Sequence, residues 1–140
     1  MKLVFVCTGN TCRSPMAEAL ARDWAEKNKL DLDLRSRGLY AFSGSPMSQG
    51  AKEALKDLDL DGAGHRAGLL REEDLAWADR VYTMTQGQAD QVKLAFPSYS
   101  HKIELLDLTD ISDPFGGSLE DYQRARDQIK RAIDKKEWRP

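Results

Sequence analysis

The chain predicts a three-layer α/β domain, a parallel sheet covered by helices on both faces. Three observations lead there. Short apolar strand-like runs alternate with longer stretches in which apolar residues recur at helical spacing. That alternation implies parallel pairing through right-handed crossovers. The 140 residues are also enough for one core without metal or disulfide staples, so residues 1–140 are expected to form a single domain.

Lys2 to Val6 (K-L-V-F-V) is a continuous apolar run of the kind buried on both faces of a sheet. Cys7 to Ser14 is a Gly/Asn/Thr/Ser-rich loop, and Pro15 stands where a first helical turn tolerates proline. Met16, Ala17, Leu20, Ala21 and Trp24 then form one helical stripe. A weaker strand follows at Leu32 to Ser36, a loop at Gly38 to Pro46, and a helix at Met47 to Leu58. Beyond Gly62 and Gly64 come a short helix, Arg71 to Ala78, and a third strand, Arg80 to Met84. Gln86 to Ala95 reads as a helix that stops before Pro97, and Lys102 to Leu106 as a fourth strand. The loop Thr109 to Ser118 leads to a last amphipathic helix carrying Leu119, Tyr122, Ala125, Ile129, Ala132 and Ile133.

Composition narrows the function. With 41% apolar and 31% charged residues the chain is globular rather than disordered. A net charge of -2 gives no cause to expect nucleic acid or an anionic membrane as partner. The longest apolar run, Leu3 to Cys7, is far too short to span a bilayer, and nothing at the N-terminus reads as an export signal. Two cysteines, Cys7 and Cys12, are too few for a disulfide framework and suit a reducing compartment, so a monomeric cytoplasmic protein is expected.

Both cysteines lie in the loop after the first strand, where open α/β sheets place their ligands. It reads Cys7-Thr8-Gly9-Asn10-Thr11-Cys12-Arg13-Ser14-Pro15. Successive N–H groups of such a turn form an anion-binding nest, to which the following helix adds its own unpaired N–H groups and dipole. Arg13 can grip two phosphate oxygens with its planar fork. The same field favours the thiolate of Cys7 as a nucleophile, and Ser14 can donate a hydrogen bond to it. Gly9 and Asn10 are residue types that tolerate left-handed backbone.

Thiolate attack on phosphorus expels a poor leaving group, so a proton donor is needed opposite the nucleophile. Asp113-Pro114-Phe115-Gly116-Gly117-Ser118 offers a candidate in Asp113, stiffened by the proline and followed by two glycines. Taken alone, Asp-Pro more often marks the loop before a helix; the cysteine loop turns the reading to the acid. Asp107 and Asp110 lie nearby but precede no proline.

The string V-C-T-G-N-T-C-R-S-P-M-A-E, Val6 to Glu18, resembles the signature of the low-molecular-weight protein tyrosine phosphatases. Length, element order and the Asp-Pro pair extend the resemblance over the whole chain. It implies a four-stranded parallel sheet flanked by helices, a phosphocysteine intermediate on Cys7, Arg13 as phosphate ligand and Asp113 as general acid. It also implies that Asp113 is the later base for water, that no metal or organic cofactor takes part, and that the partners are phosphorylated proteins. The loop residues Thr8, Gly9, Asn10, Thr11, Cys12 and Ser14 are then substrate-binding.

Two departures shift the expected substrate. Tyrosine-specific members carry an aliphatic residue where this chain has Thr11, and bulkier residues after Asp-Pro than Phe115-Gly116-Gly117. Both features resemble the bacterial protein arginine phosphatases, a branch of the same family. Thr11 can hydrogen-bond a polar guanidinium or position water, and Phe115 can offer it a ring face. Phosphoarginine is therefore the expected substrate and phosphotyrosine the alternative. Arsenate reduction on a similar loop needs further cysteines downstream, which are lacking after Cys12. A purely phosphate-binding module would need neither Cys7 nor Asp113.

Of the remaining residues, Cys12 is either passive filler or, by its spacing within one curled loop, the partner of Cys7 in a reversible disulfide. His65 and His101 read as ordinary loop residues, and Trp24, Trp77 and Tyr82 as packing. Ser36-Arg37-Gly38 is placed at the rim of the site, with no role assigned to Arg37.

Overall fold

A computed structural model of the chain describes residues 1–138. The expected architecture is present. Four parallel strands, β1 (Lys2–Cys7), β2 (Asp33–Gly38), β3 (Arg80–Thr83) and β4 (Ile103–Leu105), form one sheet in the order β2-β1-β3-β4. The helices are α1 (Arg13–Lys27), α2 (Gln49–Lys56), α3 (Glu72–Trp77), α4 (Gln86–Ala95) and α5 (Leu119–Asp134).

β1 is central, and its alternating side chains feed two cores. Leu3, Phe5 and Cys7 face a cluster with Met16, Leu20, Leu55, Ile129 and Ile133 from α1, α2 and α5. Val4 and Val6 face Leu75, Val81, Ala89, Val92 and Ile103. Leu3 to Val6 are all fully buried, which is why the run carries no polar residue. At the amino end of the sheet Trp138 stacks edge-on against Trp24 with centroids 5.3 Å apart, and its Nε1–H donates to Tyr82 at 2.9 Å. Trp77 lies under the Arg35 guanidinium at 3.9 Å. All three aromatic residues read as packing do pack.

The chain runs from β1 outward to β2, then crosses back over β1 to β3. The switch point therefore falls beside the carboxyl end of β1, where Cys7 sits. No helix among the described residues is long and apolar enough to cross a membrane.

Most boundaries shift from expectation by one or two residues, and three differences stand out. β2 continues through Gly38, because Ser36, Arg37 and Gly38 pair with Phe5, Val6 and Cys7. A short 3-10 helix, Pro97–Lys102, precedes β4. The second helix is trimmed to Gln49–Lys56, with Ser48 as its N-cap in extended conformation.

Candidate active site

The loop from Cys7 to Arg13 is shaped by what holds its carbonyls. Cys7 and Thr8 carbonyls accept from Leu39 and Tyr40 N–H at 3.0 and 2.9 Å, and the Thr11 carbonyl from Ser48 N–H at 2.9 Å. The Asn10 carbonyl receives His65 Nε2 at 2.7 Å. Since a carbonyl only accepts, Nε2 carries the proton. In a trans peptide the following N–H points the opposite way. The N–H groups of Thr8, Gly9, Thr11 and Cys12 are thus turned away from the surrounding protein, toward the inside of the loop, forming a nest.

Asn10 makes the curl possible. It holds φ at 56°, in the left-handed region. Its buried amide donates to Ser14 Oγ at 2.8 Å and Ser36 Oγ at 3.1 Å, while its Oδ1 accepts from Gly68 N–H at 2.9 Å. Gly38 is required behind it, since a Cβ there would stand 2.8 Å from the Thr8 carbonyl and 3.0 Å from Asn10 Cβ.

α1 opens at the end of the loop. Cys12 occupies its N-cap without a side-chain bond, so the first-turn N–H groups stay open to an anion. Cys7 Sγ and Ser14 Oγ lie 2.9 Å apart, both buried. Cys12 Sγ contacts Ser48 Oγ at 3.2 Å and the Tyr122 hydroxyl at 3.7 Å, and burial pushes that phenol above its ordinary pKa.

Arg13 joins this loop to the second motif. The residue is 4% exposed; Nη1 donates to the Ile111 carbonyl at 2.7 Å, and Nη2 stands 3.7 Å from Asp113 Oδ2. Its Nε is the buried side-chain polar atom left without a partner among the described residues. An unpaired buried donor costs about 1–3 kcal/mol. Asp113 is half exposed, and its Oδ1 accepts from Phe115 N–H at 3.1 Å, an Asx turn that sets the carboxylate at the mouth.

Between them lies a pocket of about 300 Å³ lined by Cys7, Thr8, Gly9, Thr11, Cys12, Arg13, Tyr40, Phe42, Ser45, Asp113 and Phe115. Most residues expected at the site line it. Asn10 and Ser14, read as substrate-binding, are instead wholly buried behind the loop as its supports. Three features differ from the sequence reading or are missing from it. Tyr40 and Phe42, 70% and 84% exposed, line the pocket together with Phe115. His65, read as an ordinary loop residue, grips Asn10. Ser36 and Gly38 back the loop rather than forming a rim, and Arg37 turns away to Asp74 at 3.3 Å. Asp107 and Asp110 are spent on Gln128 and on Gln86 N–H, both 2.9 Å away. No group of three or more potential metal ligands occurs among the described residues.

Residues 2–136 match the family described as low molecular weight phosphotyrosine protein phosphatase. The chain belongs to that family. Within it, the chain is 40% identical to a protein-arginine-phosphatase of Geobacillus stearothermophilus, over 96% of this chain and 92% of the relative. It is 36% identical to the low molecular weight protein-tyrosine-phosphatase PtpB of Staphylococcus epidermidis, over 96% of each. A solved YwlE arginine phosphatase, in a mutant form with a phosphorylated active-site serine, superposes with a TM-score of 0.92 at 36% identity, covering 95% of this chain and 91% of that one. The phosphatase family's loop is thus seen here with its supports in place.

Proposed function

We propose that this chain is a cysteine-dependent protein phosphatase acting on phosphoarginine. The observation that carries the reading is the held loop: carbonyls of Cys7, Thr8, Asn10 and Thr11 bonded to the surrounding protein, with Cys7 and an Arg13 of unpaired Nε lining one pocket. A phosphoryl oxygen would supply the acceptor that Nε lacks. Cys7 Sγ attacks phosphorus, the P–N bond breaks, and Asp113 gives its proton to the departing guanidine nitrogen. Water then attacks the phosphocysteine, Asp113 takes a proton from it, and the S–P bond breaks to release phosphate and regenerate the thiolate. No cofactor takes part in either step.

Arginine rather than tyrosine is supported by the polar Thr11 in the pocket wall and by a mouth pairing a carboxylate with a ring face, Asp113 and Phe115. The first relative above bears the same activity in its name. The tyrosine reading draws on one observation of its own: Tyr40 and Phe42 with Phe115 make an aromatic collar that suits a phenyl ring. Arsenate reduction is disfavoured because the only cysteines are Cys7 and Cys12.

The pair also supports redox control. Both thiols are free and line one pocket. Peroxide oxidises Cys7 to the sulfenic acid, and the Cys12 thiol condenses with it, releasing water and forming a disulfide.

The test is kcat/KM on phosphoarginine and phosphotyrosine substrates with Cys7→Ser as control. Preference for phosphoarginine with loss of turnover in Cys7→Ser is expected. Preference for phosphotyrosine transfers the assignment to the second reading.

A further inference from the structure

Gln88 lies 80 residues from the nucleophile loop in sequence, yet its side chain reaches into it. The residue is 6% exposed, in the first turn of α4. Its Oε1 accepts two backbone N–H groups, Met84 at 3.0 Å and Thr85 at 3.1 Å. This fixes the amide, because the flipped orientation would set donors against donors. The Nε2 is thereby aimed at Thr8 Oγ1 and donates to it at 3.1 Å. Thr8 follows Cys7 directly, and its own carbonyl is held by Tyr40 N–H. Both polar ends of Thr8 are therefore pinned.

The polarity of the contact has a chemical consequence. Thr8 Oγ1 spends a lone pair on Gln88, so its hydroxyl proton has no claim from that side. Thr8 lines the pocket beside Cys7, Gly9 and Arg13. We propose that Gln88 is a positioning residue for phosphoryl transfer, holding the Thr8 hydroxyl as a hydrogen-bond donor to an oxygen of the phosphoryl group in the loop. This rests on the phosphatase reading above. The N-terminal turn of α4 and the nucleophile loop are then one unit.

Gln88→Glu separates this role from helix capping. The carboxylate still accepts from Met84 and Thr85, but it cannot donate to Thr8 and instead draws the Thr8 proton away. The experiment is a double-mutant cycle of Gln88→Glu and Thr8→Val on kcat/KM. Each single variant is expected to lose between about 10- and 100-fold, chiefly in kcat, the scale of one hydrogen bond to a charged group. Gln88→Glu added to Thr8→Val is expected to cost almost nothing more, and Thr8→Ser to restore most of the rate. Equal losses for Gln88→Glu with and without the Thr8 hydroxyl overturn the proposal, since they mark a charge or folding effect. So does a Thr8→Val enzyme with unchanged kcat/KM. Inorganic phosphate binding, followed by calorimetry on the same four proteins, keeps two failures apart. If the parent protein turns over no phosphorylated substrate, the functional reading falls while the coupling of Gln88 to Thr8 is still read from phosphate affinity.

Discussion

Ser14 Oγ stands 2.9 Å from Cys7 Sγ and receives Asn10 Nδ2 at 2.8 Å. With one lone pair committed to Asn10, Ser14 still has its proton to give. The alternative acceptor, the Arg37 carbonyl, lies at 3.4 Å. Once Cys7 is ionised, the thiolate takes that proton's hydrogen bond, being closer and charged. On the phosphatase reading proposed above, Asn10 and Ser14 hold that proton toward the sulfur from behind the loop.

Ser14→Ala removes the only side-chain hydrogen-bond partner of that sulfur among the described residues. A charge-assisted hydrogen bond is worth about 1.5–3 kcal/mol. The expected result is a loss in kcat of roughly 10- to 100-fold, with slower alkylation of Cys7 by iodoacetamide at a fixed mildly acidic pH. Unchanged kcat and alkylation would show that Ser14 is only filler.

Gly38→Ala tests the backing of the loop. The added methyl meets the Thr8 carbonyl at 2.8 Å and Ala41 Cβ at 2.9 Å, and none of these belongs to a flexible side-chain end. Overpacking of this kind costs about 1–3 kcal/mol. A lower melting temperature together with lost phosphate affinity is expected. A stable variant with normal affinity would mean the loop can shift without harm.

Thr11→Ile tests selectivity. An aliphatic wall removes the hydroxyl that suits a guanidinium and leaves a surface that suits a phenyl ring. The ratio of kcat/KM for phosphoarginine over phosphotyrosine should fall by about tenfold or more, the scale of leaving polar groups unpaired. A constant ratio would move selectivity to Phe115 and the Tyr40–Phe42 wall.

Cys12→Ser tests protection. Peroxide should inactivate the parent protein reversibly, with a Cys7–Cys12 disulfide recovered by peptide mapping and activity restored by dithiothreitol. The variant should climb to the sulfinic acid at Cys7 and stay inactive. Equal recovery in both would count against the disulfide.

The fold was legible because its signals are local. After Lys2, β1 is an uninterrupted apolar run, and α4 keeps the bounds read from its pattern, Gln86–Ala95, closed by Pro97 just beyond it. Cys7, Arg13 and Asp113 were legible as residue types that one chemistry demands, and the pocket brings all three together. What escaped is long-range. His65 binds a backbone carbonyl 55 residues away, and such a bond leaves no mark in spacing or polarity. The role of Ser36 appears only when β2 is registered against β1, which puts it behind Asn10. Tyr40 and Phe42 lie in a segment with no period, and its shape comes from bonds to Cys7, Thr8 and Ala67.

The central claim is that phosphate passes through Cys7. A rapid-quench reaction of the native protein with isotopically labelled phosphoarginine protein, followed by mass spectrometry of the acid-quenched peptides, tests it most directly. The account predicts a transient label on Cys7 that rises within the first turnover and decays as free phosphate is released. Steady turnover with the label appearing only as free phosphate, and never on Cys7 at any quench time while a slowed Asp113→Ala variant also stays unlabelled, would contradict it.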